Sequence, residues 1–120
     1  MDSALRLIKE GNADGVKLEG GKEMALQVAA ITKAGVPVIG QIGLTPQRAL
    51  ATLNEDIASL EGSADAEHSF GSTADSARQV LEDALTIQEA GAVGICLEAI
   101  AGPAAQMITD VLRIPTLGIG

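Results

Sequence analysis

The 120-residue chain is long enough for one modest domain, and its composition indicates no second one. Its formal net charge is −8 at pH 7, so we expect neither nucleic acid nor an anionic membrane surface as a partner, because both require a basic footprint. The sequence has neither a basic leader followed by an apolar stretch nor a run of about 18 apolar residues, which predicts no secretory signal and no membrane span and favours a cytoplasmic location.

Aliphatic side chains have to fill the core. Hydrophobic residues make up 47% of the sequence, but Phe70 is its single aromatic residue. Cys96 is the single cysteine and lies in an apolar run. No disulfide can form within the chain, and we expect Cys96 to be a buried, inert thiol.

Apolar residues recur alternately at helical and at strand spacings along the chain. The predicted elements are, in order, a helix over about 3–11, a strand over 14–19, a helix over 24–33, a strand over 36–42, a helix over 74–90, a strand over 93–97, a helix over 103–112 and a strand over 114–120. The first helix should end on a glycine C-cap at Gly11, Ser72 or Thr73 should cap the helix from 74, and Pro103 suits the first turn of the last helix.

Repeated strand–helix units predict an α/β fold with a parallel sheet and right-handed crossovers. Such units occur in an open doubly wound sheet or in a (β/α)₈ barrel, and their pattern alone leaves both open. A complete barrel normally takes about 250 residues. If these units belong to a barrel, residues 1–120 supply about four of its eight strands, as one domain.

The stretch over about 48–72 is the least regular part of the chain and is predicted to be an acidic insertion with a short helix over about 47–60. It contains the single histidine, His68. One histidine in such a loop is more often solvent-exposed than a metal ligand or a catalytic base. The chain has neither a P-loop nor a G-x-G-x-x-G sequence, so nothing in it favours nucleotide binding.

Polar or charged side chains recur where the predicted strands end. Lys17 and Glu19 share one face of the first strand, because side chains at i and i+2 point to the same side. Gln41 lies near the end of the second strand, and Glu98 follows the third. Active sites of parallel β/α folds form at the carboxyl ends of strands, so this pattern predicts a site. The alternatives are an incidental surface ion pair for Lys17 and Glu19 and a helix N-cap role for Glu98.

Several ordered segments carry a resemblance to a known family. They are Val16-Lys17-Leu18-Glu19-Gly20-Gly21, Gly40-Gln41-Ile42-Gly43-Leu44-Thr45-Pro46-Gln47, Glu82-Asp83-Ala84-Leu85 before Glu89-Ala90-Gly91-Ala92, Leu97-Glu98, and Ile114-Pro115-x-x-Gly118-Ile119-Gly120. With these segments the chain resembles ketopantoate hydroxymethyltransferase, a (β/α)₈ barrel of pantothenate biosynthesis. The resemblance covers most of the chain outside 48–72, and it implies an α/β fold in which residues 1–120 form one domain, a partial TIM-type barrel.

The resemblance implies transfer of a hydroxymethyl group from 5,10-methylenetetrahydrofolate to 3-methyl-2-oxobutanoate, a small 2-keto acid, with Mg²⁺ holding the keto acid. It implies that Lys17 contacts the keto acid and that Glu19 supports the metal shell. Gln41 would hydrogen-bond the substrate, and Glu98 would move the substrate proton. It also implies a homo-oligomer for the complete enzyme and a cytoplasmic location, or a mitochondrial one in a eukaryote.

The chain departs from the family pattern in three respects. Gln41 stands where the family has histidine, and glutamine cannot carry a proton at neutral pH. An acidic stretch over 54–70 replaces a glycine-rich basic loop, and we expect the aspartates that bind Mg²⁺ to belong to barrel strands outside this chain. The departures favour, as an alternative, a non-catalytic remnant that assembles with a complete enzyme. A further alternative is another Mg²⁺-dependent barrel enzyme acting on phosphoenolpyruvate or a 2-keto acid.

Overall fold

The computed structural model describes residues 1–43 and 71–119. Its elements are helix α1 (Asp2–Lys9), strand β1 (Val16–Glu19), a 3₁₀ helix (Lys22–Met24) that continues into α2 (Ala25–Lys33), β2 (Val38–Gly43), α3 (Ala74–Glu89), β3 (Gly94–Glu98), α4 (Gly102–Val111) and β4 (Thr116–Ile119). Every element predicted within these ranges is present, with its ends shifted by no more than two residues. The predicted helix over 47–60, His68, Phe70 and most of the acidic insertion over 48–72 lie outside the described residues.

The predicted helix caps are largely present. Thr73 caps α3, where its hydroxyl accepts a hydrogen bond from the Ser76 N–H and the Thr73 N–H donates to the Ser76 hydroxyl. Pro103 lies in the first turn of α4. The end of α1 differs in detail from the prediction: Glu10 is its C-cap, and the left-handed residue that follows is Asn12, with φ of 57°, rather than Gly11. Asparagine adopts this conformation more readily than most residues because its short polar side chain can hydrogen-bond locally.

The strands form one parallel sheet in the order β1-β2-β3-β4. With right-handed crossovers, this sequential order puts the described connecting helices α2, α3 and α4 on the same face of the sheet. A doubly wound sheet would instead reverse its strand order and place helices on both faces. The order therefore identifies the described sheet as part of a TIM-type barrel that is not closed.

The core lies between the helices and one face of the sheet. Buried strand residues on this face pack with buried helical residues into one cluster that includes Val28, Ile31, Val38, Ile42, Val80, Ala84, Ile87, Ile95, Leu97 and Ile108. Gly40 belongs to the same face, and a Cβ there would lie 2.7 Å from Ile87 Cγ2. Glycine therefore lets α3 approach the centre of the sheet, and the core is aliphatic as predicted.

Gln88 fastens α3 to the segment that leads into β4. Its side chain is 7% exposed, and its Oε1 accepts hydrogen bonds from the Arg113 N–H at 2.6 Å and the Ile114 N–H at 3.3 Å. Two buried or partly buried backbone groups are thereby satisfied by one side chain. The helical layer thus fixes the position of the last described strand.

The opposite face of the sheet, which we call the open face, carries the alternate side chains of each strand. Residues in register share a face, and three rows lie here: Lys17, Ile39 and Gly94; Glu19, Gln41, Cys96 and Leu117; Gly43, Glu98 and Ile119. Cys96 is buried, as expected, whereas Ile39, Leu117 and Ile119 are 36%, 59% and 45% exposed. This face therefore carries both exposed apolar side chains and the polar side chains of the predicted site. Among the helices in the described ranges, none has the length and apolar character that crossing a membrane requires.

We predict that the chain self-associates through the open face, because exposed apolar surface and the outer edges of β1 and β4 favour contact with another copy. Leu117→Lys should shift the sedimentation-velocity distribution towards monomer, since burying the added charge would be costly. Leu26→Lys is the matched control, because Leu26 is 84% exposed on α2, away from the open face. A monodisperse monomer for the unmodified chain would contradict the prediction.

Candidate active site

The sequence-predicted site residues lie together near the carboxyl ends of three neighbouring strands. Glu19 ends β1 and Glu98 ends β3, while Gln41 lies within the last half of β2. Glu19 is in register with Gln41, and Gly43 is in register with Glu98. Neighbouring strands are about 4.8 Å apart. The register therefore brings Glu19, Gln41 and Glu98 to one end of the open face, with Lys17 one step further back along β1.

Gln41 contacts Glu98 directly. The Gln41 side chain is 1% exposed, and its Nε2 donates a hydrogen bond to Glu98 Oε2 across the boundary between β2 and β3. Glu98 is half-buried. An ionised carboxylate only accepts hydrogen bonds, so the amide donor matches it and holds one of its oxygens in place. This pairing of two predicted site residues is not apparent from the sequence, where they are 57 positions apart.

The helix N-cap interpretation of Glu98 is wrong. α4 begins after Ala101, which is its N-cap residue, and no side chain caps it. Glu98 instead ends β3, and its carboxylate is turned to Gln41. Its position therefore fits a role on the open face of the sheet.

Glu19 has a buried oxygen with an unmet hydrogen-bonding requirement. Its Oε2 is buried and has no hydrogen-bond partner in the described structure. Lys17 is exposed, and no salt bridge within the described residues joins it to Glu19. The incidental ion pair that the sequence allowed is therefore not formed. Leaving such an acceptor unsatisfied costs about 1–3 kcal/mol, which a cation or donor at this site would offset.

The three strand ends at the site lead into left-handed or otherwise positive-φ backbone. Gly20, Gly43 and Ala99 have φ of 121°, 88° and 54°. Ala99 directly follows Glu98, and its N–H donates to the Ile119 carbonyl at 2.9 Å. A non-glycine residue in this region costs about 1–2 kcal/mol, and such strain clusters at functional sites. Sequence reasoning missed Ala99, because alanine has no preference for this conformation that could serve as a signal.

Gly43 packs against the backbone of Glu98. A Cβ at Gly43 would overlap the Glu98 carbonyl oxygen and would lie 2.9 Å from Ile100 Cγ1. Glycine is therefore required here for close backbone approach as well as for its positive φ. The end of β2 thus sets the position of Glu98 through both Gln41 and Gly43.

The described residues supply part of a possible Mg²⁺ site. Residues 1–43 and 71–119 contain no group of three or more His, Cys, Asp or Glu side chains that could hold a metal ion. The unpartnered Glu19 Oε2 nevertheless has the right chemistry, because Mg²⁺ prefers oxygen ligands and often takes one or two carboxylates together with water or substrate. Glu19 therefore fits as one ligand of a larger set.

Comparisons with known proteins give a consistent result. The sequence model of the family described as ketopantoate hydroxymethyltransferase matches residues 1–120. A protein of Oleidesulfovibrio alaskensis named 3-methyl-2-oxobutanoate hydroxymethyltransferase is 48% identical over 120 residues, which are 100% of this chain and 37% of that protein. The protein of the same name from Emericella nidulans is 44% identical over 120 residues, 100% of this chain and 31% of that protein.

A rice protein named 3-methyl-2-oxobutanoate hydroxymethyltransferase 1, mitochondrial, is 44% identical over 121 residues, covering 100% of this chain and 30% of the rice protein. The chain thus spans about a third of the length of the curated relatives it matches. The similarity extends over all of this chain in each of the three.

We predict that Gly43→Ala destabilises the fold more than Gly35→Ala. Both glycines have nearly the same φ, 88° and 90°, but a Cβ at Gly35 meets no atom within 4 Å. Gly35→Ala should therefore cost only the conformational strain, about 1–2 kcal/mol, whereas Gly43→Ala also forces the Glu98 backbone to move. Urea denaturation followed by circular dichroism at one fixed protein concentration measures both. Equal losses would contradict the packing of Gly43 on Glu98.

Proposed function

The chain belongs to the ketopantoate hydroxymethyltransferase family, and from this premise we propose that the protein transfers a hydroxymethyl group from 5,10-methylenetetrahydrofolate to 3-methyl-2-oxobutanoate, forming ketopantoate. The observation that carries the proposal is the convergence of Glu19, Gln41 and Glu98 at the carboxyl end of one sheet face. Barrels of this type build their active sites at that end. The names of the relatives support the transferase class and pantothenate biosynthesis, while the folate donor and Mg²⁺ are the finer part of the proposal.

Glu98 is assigned as the group that removes the carbon-bound proton of the keto acid. Gln41 holds Glu98 Oε2, which leaves the second carboxylate oxygen as the candidate proton acceptor. A general base must be fixed within hydrogen-bond reach of the proton it removes, and a buried amide donor provides that constraint. Gln41 also has amide chemistry suited to a substrate hydrogen bond, the role that the resemblance implies for it.

Lys17 and Glu19 are assigned to the binding of substrate and metal. Glu19 would hold Mg²⁺ through the buried Oε2, together with ligands from outside residues 1–43 and 71–119. When bound, Mg²⁺ supplies Lewis-acid polarisation of the keto acid oxygens. Lys17, exposed on the same face, would bind the keto acid and balance the negative charge that grows as the proton leaves.

A non-catalytic role in an assembly with a complete enzyme is the second candidate. It is favoured by Gln41, which stands where the resemblance implies a histidine and cannot carry a proton at neutral pH. The family match over residues 1–120 favours the transferase over other Mg²⁺-dependent barrel enzymes. For the complete enzyme we propose a homo-oligomer and a cytoplasmic location, with a mitochondrial location as the alternative that the name of the rice relative suggests.

The decisive experiment places residues 1–120 into the Oleidesulfovibrio alaskensis relative, in place of the segment they match. We expect this chimera to form ketopantoate from 3-methyl-2-oxobutanoate with methylenetetrahydrofolate and Mg²⁺. In the chimera, Glu98→Gln should slow exchange of the carbon-bound substrate proton by roughly 10²-fold or more, because an amide cannot accept the proton. NMR of the keto acid in D₂O measures the exchange.

Glu89→Gln is the matched control, since Glu89 is an exposed carboxylate at the far end of α3. It should leave the exchange rate unchanged. Unchanged exchange in Glu98→Gln would remove Glu98 from the mechanism. A folded chimera that neither exchanges the proton nor forms ketopantoate would favour the non-catalytic role.

A separate prediction concerns the Gln41–Glu98 bond. Gln41→Leu removes the amide donor at similar volume and should lower proton exchange by about tenfold or more, because a hydrogen bond to a charged group contributes roughly 1.5–3 kcal/mol. Gln41→His, which retains a ring N–H donor, should keep most of the activity. Gln106→Leu on the exposed face of α4 is the control, since Gln106 bonds only within that helix in the described structure. Full exchange in Gln41→Leu would contradict a positioning role for the bond.

A further inference from the structure

The turn that follows Glu19 is fastened to α3 by Asp83. Asp83 Oδ1 accepts a hydrogen bond of 3.0 Å from the Lys22 N–H. The preceding residue of α3, Glu82, forms a second link, with its Oε2 3.7 Å from Lys22 Nζ. Two adjacent carboxylates of α3 therefore hold Lys22, one at its backbone and one at its side chain.

Gly21 leaves the space that the Asp83 carboxylate occupies. A Cβ at Gly21 would overlap all three atoms of the Asp83 carboxylate group. Glycine at this position thus allows the carboxylate to lie against the backbone of the turn. The second glycine of the Gly20-Gly21 pair therefore has a specific packing partner, which the sequence does not reveal.

Three successive backbone N–H groups of this turn donate hydrogen bonds, each to a different part of the molecule. The Gly20 N–H donates to the Gln41 carbonyl of β2 at 2.9 Å, the Gly21 N–H donates to Glu23 Oε1 at 3.0 Å, and the Lys22 N–H donates to Asp83. The backbone directly after Glu19 is therefore fixed to the sheet on one side and to the helical layer on the other. A fixed backbone here limits the directions that the Glu19 carboxylate can take.

We propose that Asp83 is a positioning residue for Glu19: from outside the site, it fixes the turn that directs the Glu19 carboxylate, with its unpartnered Oε2, towards a divalent cation. The inference rests on the ligand role given to Glu19 in the proposed function. Asp83 acts through a charge-assisted hydrogen bond to the backbone, which restrains the turn directly. Glu82 acts only through a Lys22 ion pair whose side chains are 58% and 52% exposed, and exposed pairs of this kind contribute little.

The test measures Mn²⁺ binding to the chimera by isothermal titration calorimetry, with Mn²⁺ as the probe. Asp83→Ala should raise the Kd for Mn²⁺ about tenfold, as loss of a residue that orients a metal ligand typically does. Asp83→Asn should retain most of the affinity, because the amide oxygen still accepts from the Lys22 N–H. Glu82→Ala is the matched control and should leave the Kd unchanged.

Gly21→Ala tests the same contact from the other side and does not depend on folding of the Asp83→Ala variant. It should also weaken Mn²⁺ binding, because the added Cβ displaces the carboxylate. In the Gly21→Ala/Asp83→Ala double variant, the loss should be clearly smaller than the product of the two single losses, since both remove one contact. If the two losses of Mn²⁺ affinity instead multiply in the double variant, the two residues act independently and the proposal is overturned.

The outcomes separate the inference from the proposed function. Mn²⁺ binding that is unaffected by Glu19→Ala would contradict the ligand role of Glu19 and with it the metal part of the proposed function. Binding that depends on Glu19 but is unaffected by Asp83→Ala would overturn the inference alone. A lower thermal midpoint in Asp83→Ala with an unchanged Kd for Mn²⁺ would show that the contact is merely structural.

Discussion

One constraint determines the core and the candidate site alike. Side chains alternate between the two faces of the parallel sheet, and helices cover only one of these faces. Residues on the covered face have to be aliphatic, as Val38 and Ile42 are, or small, as Gly40 is, to pack against the helices. Residues on the other face are released from that requirement, and Gln41 and Glu98 occupy such positions. The same strand can therefore stabilise the fold with one face and carry polar chemistry on the other. This division explains how a short, aliphatic chain can hold several polar groups near one another.

Contacts at the strand ends link the helix-covered face of the sheet to the open face. Gly43 has to be glycine because the Glu98 backbone lies against it, and Ala99 takes a left-handed conformation directly after Glu98. On β1, the turn after Glu19 is bound to β2 through Gly20 and to α3 through Lys22. Helical packing thus reaches the open face through the backbone of these turns. The positions of the candidate site residues consequently depend on contacts made on the helical side of the sheet.

Much of the fold could be predicted, because helix and strand periodicities are local properties of the sequence. The shared face of Lys17 and Glu19 follows from strand geometry alone, and Gln41 and Glu98 were identified by their positions at strand ends. The Gln41–Glu98 bond was not predictable, since it depends on the stagger between β2 and β3, which pairs Gly43 rather than Gln41 with Glu98. Strand order was also undetermined, because doubly wound sheets and barrels share the same local pattern.

The hydrogen bond to Glu98 gives a physical reason for glutamine at position 41. A histidine there could move a proton, but it could also change charge close to physiological pH and so alter its interaction with a neighbouring carboxylate. Glutamine donates through Nε2 without any change of charge, and this donor is directed at Glu98. If the essential task of the β2 residue is to hold the carboxylate of β3, glutamine performs it. Glutamine at position 41 is then chemically compatible with proton transfer at Glu98, because the amide holds the carboxylate without itself carrying a proton.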